Sequence, residues 1–156
     1  MSALIERLEA EERELVLPAF THADAWALGS RIAETALAAG HRVVIDIRRP
    51  GLVLFRAAFE GVTPDQEVWI ERKAAVARRM ESSSALVAAR FAEWGVDARA
   101  IGWLGDDYAV TGGSVPVRVR GVGVVAVATA SGLSSEEDHD LVVAGLRAHL
   151  ADGHLA

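Results

Sequence analysis

The sequence contains no cysteine, and this absence excludes several classes of site at once. Disulfides, thiolate nucleophiles, iron–sulfur clusters and c-type haem attachment all require cysteine. Lysine is nearly absent as well, because Lys73 is the one lysine among 16 basic residues. We attribute this bias towards arginine to codon usage before chemistry.

Long hydrophobic runs are also missing. The longest apolar stretch, around Val122–Ala130, is about half of the roughly 18 residues that a membrane-spanning helix needs. Residues 1–17 carry charges throughout, so they lack the apolar core of a signal peptide. The net charge of −6 is opposite in sign to the footprint of a typical nucleic-acid binder. We therefore expect a cytoplasmic protein that binds neither membranes nor nucleic acids.

The composition is that of a globular protein. The chain has 156 residues, of which 51% are hydrophobic and 24% are charged. This length fits a single domain spanning residues 1–156. Leu4, Leu8 and Leu15 fall near helical spacing and predict an amphipathic helix within residues 1–16. Such a leucine stripe has to be covered, and we expect a second copy of the chain to contribute.

Hydrophobic periodicity and turn residues predict nine elements in the order α, α, β, β, α, α, β, β, α. Thr21 with Asp24 resembles a capping box, as do Thr63 with Gln66 and Ser134 with Glu137. The stretch Val96–Tyr108 is harder to assign, and a short strand is expected near Ile101–Leu104. The nine elements are expected at residues 1–16, 22–39, 42–48, 52–59, 63–80, 82–95, 115–119, 122–130 and 134–150.

Two hairpins separated by helices favour an α+β fold with an antiparallel sheet. Strict β-α-β alternation is absent, which argues against a dinucleotide-binding fold of the Rossmann type. The glycine pattern likewise lacks the spacing of a P-loop or of a dinucleotide fingerprint. The sequence shows no internal repeat and no low-complexity linker.

The most specific text in the chain is GGSVPVRVRGVGVVAVATASGLSSEEDHDLVVAGL, from Gly112 to Leu146. It resembles the C-terminal signature of the HbpS-like/GlcG-like superfamily, often called the haem-degrading domain. The segments LPAFTHADAWALG and VVIDIRRPGLVLFRAAFEGVTPDQEVWIERK narrow the resemblance to the branch known as uncharacterised protein family 0303. The resemblance covers residues 17–150 and is poorest across residues 96–108.

This resemblance implies a profilin-like α+β fold, in which an antiparallel sheet of about five strands is flanked by helices. It also implies a homo-oligomer. Some members of the superfamily bind or degrade haem, whereas this branch has no settled reaction. The cofactor is therefore unknown, with haem as one possibility, and the catalytic residues are unknown.

A basic segment after Trp69 is the first candidate ligand site. Trp69 and Lys73 are four residues apart and share a helical face, and Arg72 lies beside Lys73. Basic groups near an aromatic ring suit a carboxylate or phosphate, including haem propionates. The plainer interpretation is a solvated helix face balanced by Glu71.

Asp46 and two glycines are further candidates. Asp46 lies inside an apolar strand, where a carboxylate must be paired. It either forms a structural pair with Arg56 on the next strand or faces a ligand. Gly112 and Gly113 either present backbone N–H groups to a ligand or form a tight turn.

Histidines provide the candidate iron ligands. His22 and His139 both lie at predicted helix starts, where the helix dipole favours neutral imidazole. Tyr108 is of a type that ligates haem iron, but its surroundings are the least family-like. No zinc set, HExxH motif or nucleophile elbow is present, so no metal site is predicted. His149 and His154 are expected at the surface.

Three functions remain open from the sequence. The first is an oligomeric module that binds haem or a related small anionic ligand. The second is a partner-binding or scaffold protein without catalytic activity. The third is an enzyme for a small organic acid, with Asp46 or His139 as the acid or base.

Overall fold

Ten elements follow one another along residues 1–153, the part of the chain that the computed structural model describes. His154, predicted at the surface, lies outside the described residues. Within the described residues no helix is both long and apolar enough to cross a membrane. The elements are α1 (Ala3–Glu14), β1 (Val16–Leu17), α2 (His22–Ala38), β2 (Val44–Arg49), β3 (Leu52–Ala58), α3 (Asp65–Met80), α4 (Ser84–Trp94), β4 (Ser114–Val119), β5 (Gly123–Ser131) and α5 (Ser135–Gly153).

The five strands form one sheet in the order β1-β4-β5-β2-β3. The two predicted hairpins are present, and they join edge to edge where β2 runs antiparallel to β5. β1 pairs with β4 in parallel, so the sheet is mixed. β1 is absent from the predicted elements, because a strand of two residues is too short to carry a periodic pattern.

Helices cover the two faces of the sheet differently. α2 and α5 bury the face that carries Ile45 and Ile47, and this layer holds the main hydrophobic core. The two helices approach closely where Gly145 of α5 faces Ile32. A Cβ atom at Gly145 would clash with the Ile32 side chain, so this approach requires glycine. α3 covers the opposite face, where Asp46 and Thr129 are buried together with Val127. This second, more polar layer holds most of the predicted site residues.

The first helix is covered by its own chain. Leu8 is buried and packs with Ile5 against Leu86 of α4, and Leu15 joins the main core. Leu4 alone of the three predicted stripe residues stays exposed. The leucine stripe is therefore no argument for a second copy of the chain.

Two local predictions are wrong. The segment Ile101–Leu104 forms turns instead of a strand. α3 begins without a side-chain cap, and the Gln66 side chain accepts a hydrogen bond from the Ser131 hydroxyl at 2.8 Å. Gln66 is therefore used for a tertiary contact, which local spacing does not reveal. The capping box at the start of α2 is confirmed, and Ser134 caps α5 as expected.

Candidate functional site

A buried ion pair lies between α3 and the start of α5. The exposed fraction is 4% for Lys73 and 1% for Asp138. The Lys73 Nζ atom lies 3.0 Å from Asp138 Oδ2 and 3.2 Å from the Ala130 carbonyl oxygen. The other oxygen, Asp138 Oδ1, accepts a hydrogen bond from the Leu133 N–H at 3.0 Å. The pair thus ties α3, β5 and α5 together in the interior.

Burial and the charge of Lys73 shift the pKa of the Asp138 carboxyl in opposite directions. Burial raises the pKa of the Asp138 carboxyl above its ordinary value, and the Lys73 charge opposes that rise. The single lysine of an arginine-rich sequence lies at this buried position, a signal that was attributed to codon usage.

Gly113 lies directly against the ion pair. Its φ of +132° is in a region that residues with a side chain rarely adopt. A Cβ atom there would lie 2.5 Å from the Ala130 carbonyl oxygen and 2.9 Å from Lys73 Nζ. The neighbouring Gly112 is similarly confined, because its Cβ would lie 2.4 Å from the Ser135 carbonyl oxygen. Both glycines serve close packing around the pair.

A small polar cleft opens beside the ion pair, and we call it the lysine cleft. Its volume is about 220 Å³, and Lys73 and Asp138 form part of its wall together with Gln66, Trp69 and Ser131. The Trp69 indole N–H donates to an Asp65 carboxylate oxygen at 3.1 Å, which holds the ring at the rim. This confirms that Trp69 and Lys73 share one helical face.

A larger cleft, which we call the loop cleft, lies on the other side of α3. Its volume is about 530 Å³, within the range of about 300–1,000 Å³ usual for ligand pockets. Arg72 is half-buried here, and its guanidinium makes no hydrogen bond or ion pair with any group in residues 1–153. The apolar part of the wall is formed by Phe91, Val96, Ala98, Leu104, Tyr108 and Val110.

Two contacts fix the loop that forms this cleft. The Ala109 N–H donates to the Arg72 carbonyl oxygen at 3.2 Å, which ties the loop to α3. Arg79 donates to the Trp103 carbonyl oxygen at 3.0 Å, and its guanidinium carbon lies 5.2 Å from the centre of the Tyr108 ring. Residues 96–108, where the resemblance is poorest, therefore form most of the wall of the loop cleft.

Asp46 is enclosed in an ion-pair network. It lies opposite Arg56 in the β2–β3 register, and Arg56 Nε donates to it at 2.9 Å. Arg48 adds two further hydrogen bonds at 2.7 and 3.0 Å, and Arg56 also contacts Glu67 on α3. The carboxylate is fully buried and lines neither cleft. The geometry corresponds to the structural Asp–Arg pair.

The two candidate histidines lie apart from both clefts. His22 is exposed at the start of α2. His139 is buried in the first turn of α5, and its Nε2 lies 2.7 Å from Glu11 Oε2 on α1. Within residues 1–153 no group of three histidine or carboxylate side chains could hold a metal ion.

The family model for the haem-degrading protein HbpS-like family matches residues 20–147. The chain belongs to the HbpS-like family. A UPF0303 protein of Streptomyces avermitilis is 48% identical over 143 residues, which cover 91% of this chain and 88% of that protein. This places the HbpS-like chain in the branch that the sequence resemblance indicated.

Solved structures confirm the HbpS-like fold. The crystal structure of the Ybr137w protein has a TM-score of 0.90 and 31% identity, covering 99% of this chain and 91% of that one. The PduOC:haem complex has a TM-score of 0.69 and 19% identity, covering 84% and 94%. The latter likeness shows the fold alone. α1 and β1 lie before the region that the HbpS-like family model matches.

The HbpS-like fold distributes the predicted residues over separate places. Trp69, Lys73 and Gly113 meet at the lysine cleft, whereas Arg72 faces the loop cleft. Successive helix residues point about 100° apart, and Arg72 and Lys73 line different clefts. Asp138 is absent from the predicted site residues, because an acidic residue in the first turn of a helix ordinarily complements the helix dipole.

Proposed function

We propose that this protein binds haem or a related small anionic ligand in the loop cleft. The half-buried Arg72 guanidinium carries this proposal, because it has no partner among the described residues. The wall of the cleft is apolar in part and also contains Asp97 and the Arg99–Asp106 ion pair. Arginine binds carboxylates through two parallel hydrogen bonds, and the apolar side chains suit a flat hydrophobic body. The PduOC:haem complex, which shares the fold, supports haem as the leading candidate.

The residues of the loop cleft fit the two ends of such a ligand. Arg72 would hold a propionate, and Tyr108 is a residue type that ligates haem iron. His22 and His139 do not line this cleft, so the earlier assignment of iron ligation to them has no support from its geometry. Haem iron, when bound, supplies the redox chemistry, and the protein supplies binding and orientation.

Replacing Arg72 with alanine is expected to weaken haem binding about ten- to hundredfold, the loss of one charged hydrogen-bonding group. The measurement is a titration followed by the Soret band. Arg120→Ala is the matched control, because Arg120 is an exposed arginine on the β4–β5 turn, remote from the cleft. Equal haem affinities of Arg72→Ala and Arg120→Ala would contradict the assignment of the haem site to the loop cleft.

Iron ligation is tested in the same titration with Tyr108→Phe, His22→Ala and His139→Ala. A changed iron spectrum in Tyr108→Phe alone agrees with the loop cleft. A changed iron spectrum in a histidine variant would instead assign iron ligation to a site outside the loop cleft. The absence of saturable binding by the wild type would favour the second function, a partner-binding protein.

A pair of exposed tryptophans favours that second function. The Trp94 and Trp103 rings are stacked with their centres 6.5 Å apart, and Phe91 supports both edge-on. Their exposed fractions are 54% and 40%. Tryptophan is enriched in protein interfaces, so this patch is the strongest candidate contact between copies of the chain.

We expect light scattering at micromolar concentration to give a multiple of the 16.6 kDa chain mass. The double variant Trp94→Ser/Trp103→Ser is expected to form particles with fewer copies of the chain. Trp26→Ser serves as the control, since Trp26 is even more exposed, at 68%, but lies on α2 against Phe55. A wild-type particle of 16.6 kDa would refute the oligomer.

A further inference from the structure

The wall of the loop cleft carries a second arginine besides Arg72, and this second arginine is already paired. The Arg99 Nη2 atom lies 2.7 Å from Asp106 Oδ1, and both residues line the cleft. Their side chains are 76% and 71% exposed, so this ion pair lies at the mouth, whereas Arg72 is half-buried and lies deeper. The cleft therefore presents two guanidinium groups at different depths. One has no partner in residues 1–153, and the other is held by an acid of the protein.

The ion pair joins two turns of the loop that are each held by hydrogen bonds of their own. Arg99 lies in the first turn, where Asp97 Oδ1 accepts a hydrogen bond from the Arg99 N–H at 3.0 Å. Asp106 lies in the second turn, where the Tyr108 N–H donates to the Gly105 carbonyl oxygen at 3.2 Å. The Arg99 and Asp106 side chains can therefore separate while the backbone of each turn keeps its hydrogen bonds.

A ligand carboxylate can compete with Asp106 for Arg99. An ion pair between two exposed side chains contributes little to stability, so separating Arg99 from Asp106 costs little. A ligand carboxylate can meet the planar guanidinium through two parallel hydrogen bonds. Without this exchange the charges that line the cleft balance, since Arg72 and Arg99 face Asp97 and Asp106. Exchange therefore adds a second cation that is available to an anionic ligand.

We propose that the loop cleft takes a ligand with two carboxylates, one bound by Arg72 and the second by Arg99 in exchange for Asp106. Asp106 is thus a competitor of the second carboxylate that is built into the protein. This inference rests on the proposed binding of the ligand in the loop cleft, and it adds the number of acidic groups and the residue that limits their binding. Haem belongs to this ligand class, because it carries two propionates.

Titrations of the full chain with haem and with haem dimethyl ester, which lacks both carboxylates, test the exchange. Asp106→Asn frees Arg99 and is expected to tighten haem binding about two- to fivefold, and Arg99→Ala is expected to weaken it by a similar factor. Neither variant is expected to change the affinity for the ester. Glu14→Gln is the matched control for Asp106→Asn, because it removes the same charge from an exposed ion pair with Arg147, outside the cleft.

Failure of the exchange and failure of the loop cleft as a haem site give different results. Equal haem affinities of Asp106→Asn and Glu14→Gln would overturn the exchange, as would equal effects of Arg99→Ala on haem and on its ester. If Arg72→Ala weakens haem binding and Arg99→Ala does not, the exchange is wrong but the loop cleft remains the haem site. The absence of saturable haem binding by the wild type would overturn both.

Discussion

Replacing Lys73 with methionine is expected to lower the free energy of unfolding by about 3–5 kcal/mol at neutral pH. Methionine keeps the length of the side chain but removes the charge, so Asp138 remains as a buried carboxylate without its cation. Urea denaturation of wild type and variant measures the loss. Asp138→Leu added to Lys73→Met is expected to recover part of it, because the uncompensated charge is then gone.

The loss is expected to depend on pH. Burial raises the pKa of Asp138 above the ordinary value of 3.8 in the folded protein, and Lys73 lowers it. Without Lys73 the folded pKa rises further. A group with a raised folded pKa contributes stability that is present below pH 3.8 and is lost as pH rises through the folded pKa. The difference between variant and wild type therefore grows from acidic to neutral pH.

Arg147→Met is the matched control for Lys73→Met. Arg147 forms two hydrogen bonds with Glu14, at 2.7 and 3.0 Å, but both side chains are about half exposed. Exposed ion pairs contribute about 0–1 kcal/mol. If Lys73→Met lowers the free energy of unfolding no more than Arg147→Met does, the buried Lys73–Asp138 pair does not stabilise the fold in the expected way.

Replacing Gly113 with valine is expected to cost about 3 kcal/mol or more. The left-handed φ contributes about 1–3 kcal/mol, and overpacking against Ala130 and Lys73 adds about 1–3 kcal/mol. At about 2–4 °C per kcal/mol for a chain of this size, the melting temperature falls by roughly 10 °C. Folding is thus expected to fail before any ligand affinity changes.

Gly121→Val separates the two contributions. Gly121 has a φ of +75°, but no atom lies within 4 Å of the position of its Cβ. This variant therefore carries backbone strain without overpacking and is expected to lose about half as much stability. A melting temperature of Gly113→Val equal to that of Gly121→Val would show that the clash with the ion pair is unimportant.

Local sequence patterns predicted those parts of the fold that depend on local interactions. The Thr21–Asp24 box involves residues close in the chain and is confirmed, and of the two alternatives left open for Asp46 the structure shows the pair with Arg56 on the neighbouring strand. The β1 strand depends on pairing with β4, about 100 residues later. Gln66 likewise bonds Ser131 instead of capping its own helix. Such long-range contacts leave no periodic trace in the sequence.

The candidate site was predictable by residue type and less so by arrangement. Arg72 and Lys73 were identified as the important basic residues, but their adjacency suggested one shared ligand. Helix geometry points them to different sides, and burial turns Lys73 towards Asp138. The burial of His139 was not predictable, because its partner Glu11 lies on α1, 128 residues earlier in the chain.

The pairing of β2 with β5 determines when the chain can fold during synthesis. Val44 pairs with Ser131, so the middle of the sheet closes only after most of the chain has left the ribosome. About 65 residues separate the end of β3 from the start of β5, and a ribosome adds them in roughly 3–13 s. Throughout that interval the β2–β3 hairpin exposes an unpaired edge and much of its apolar face. The nascent chain therefore has several seconds in which to aggregate or to engage a chaperone.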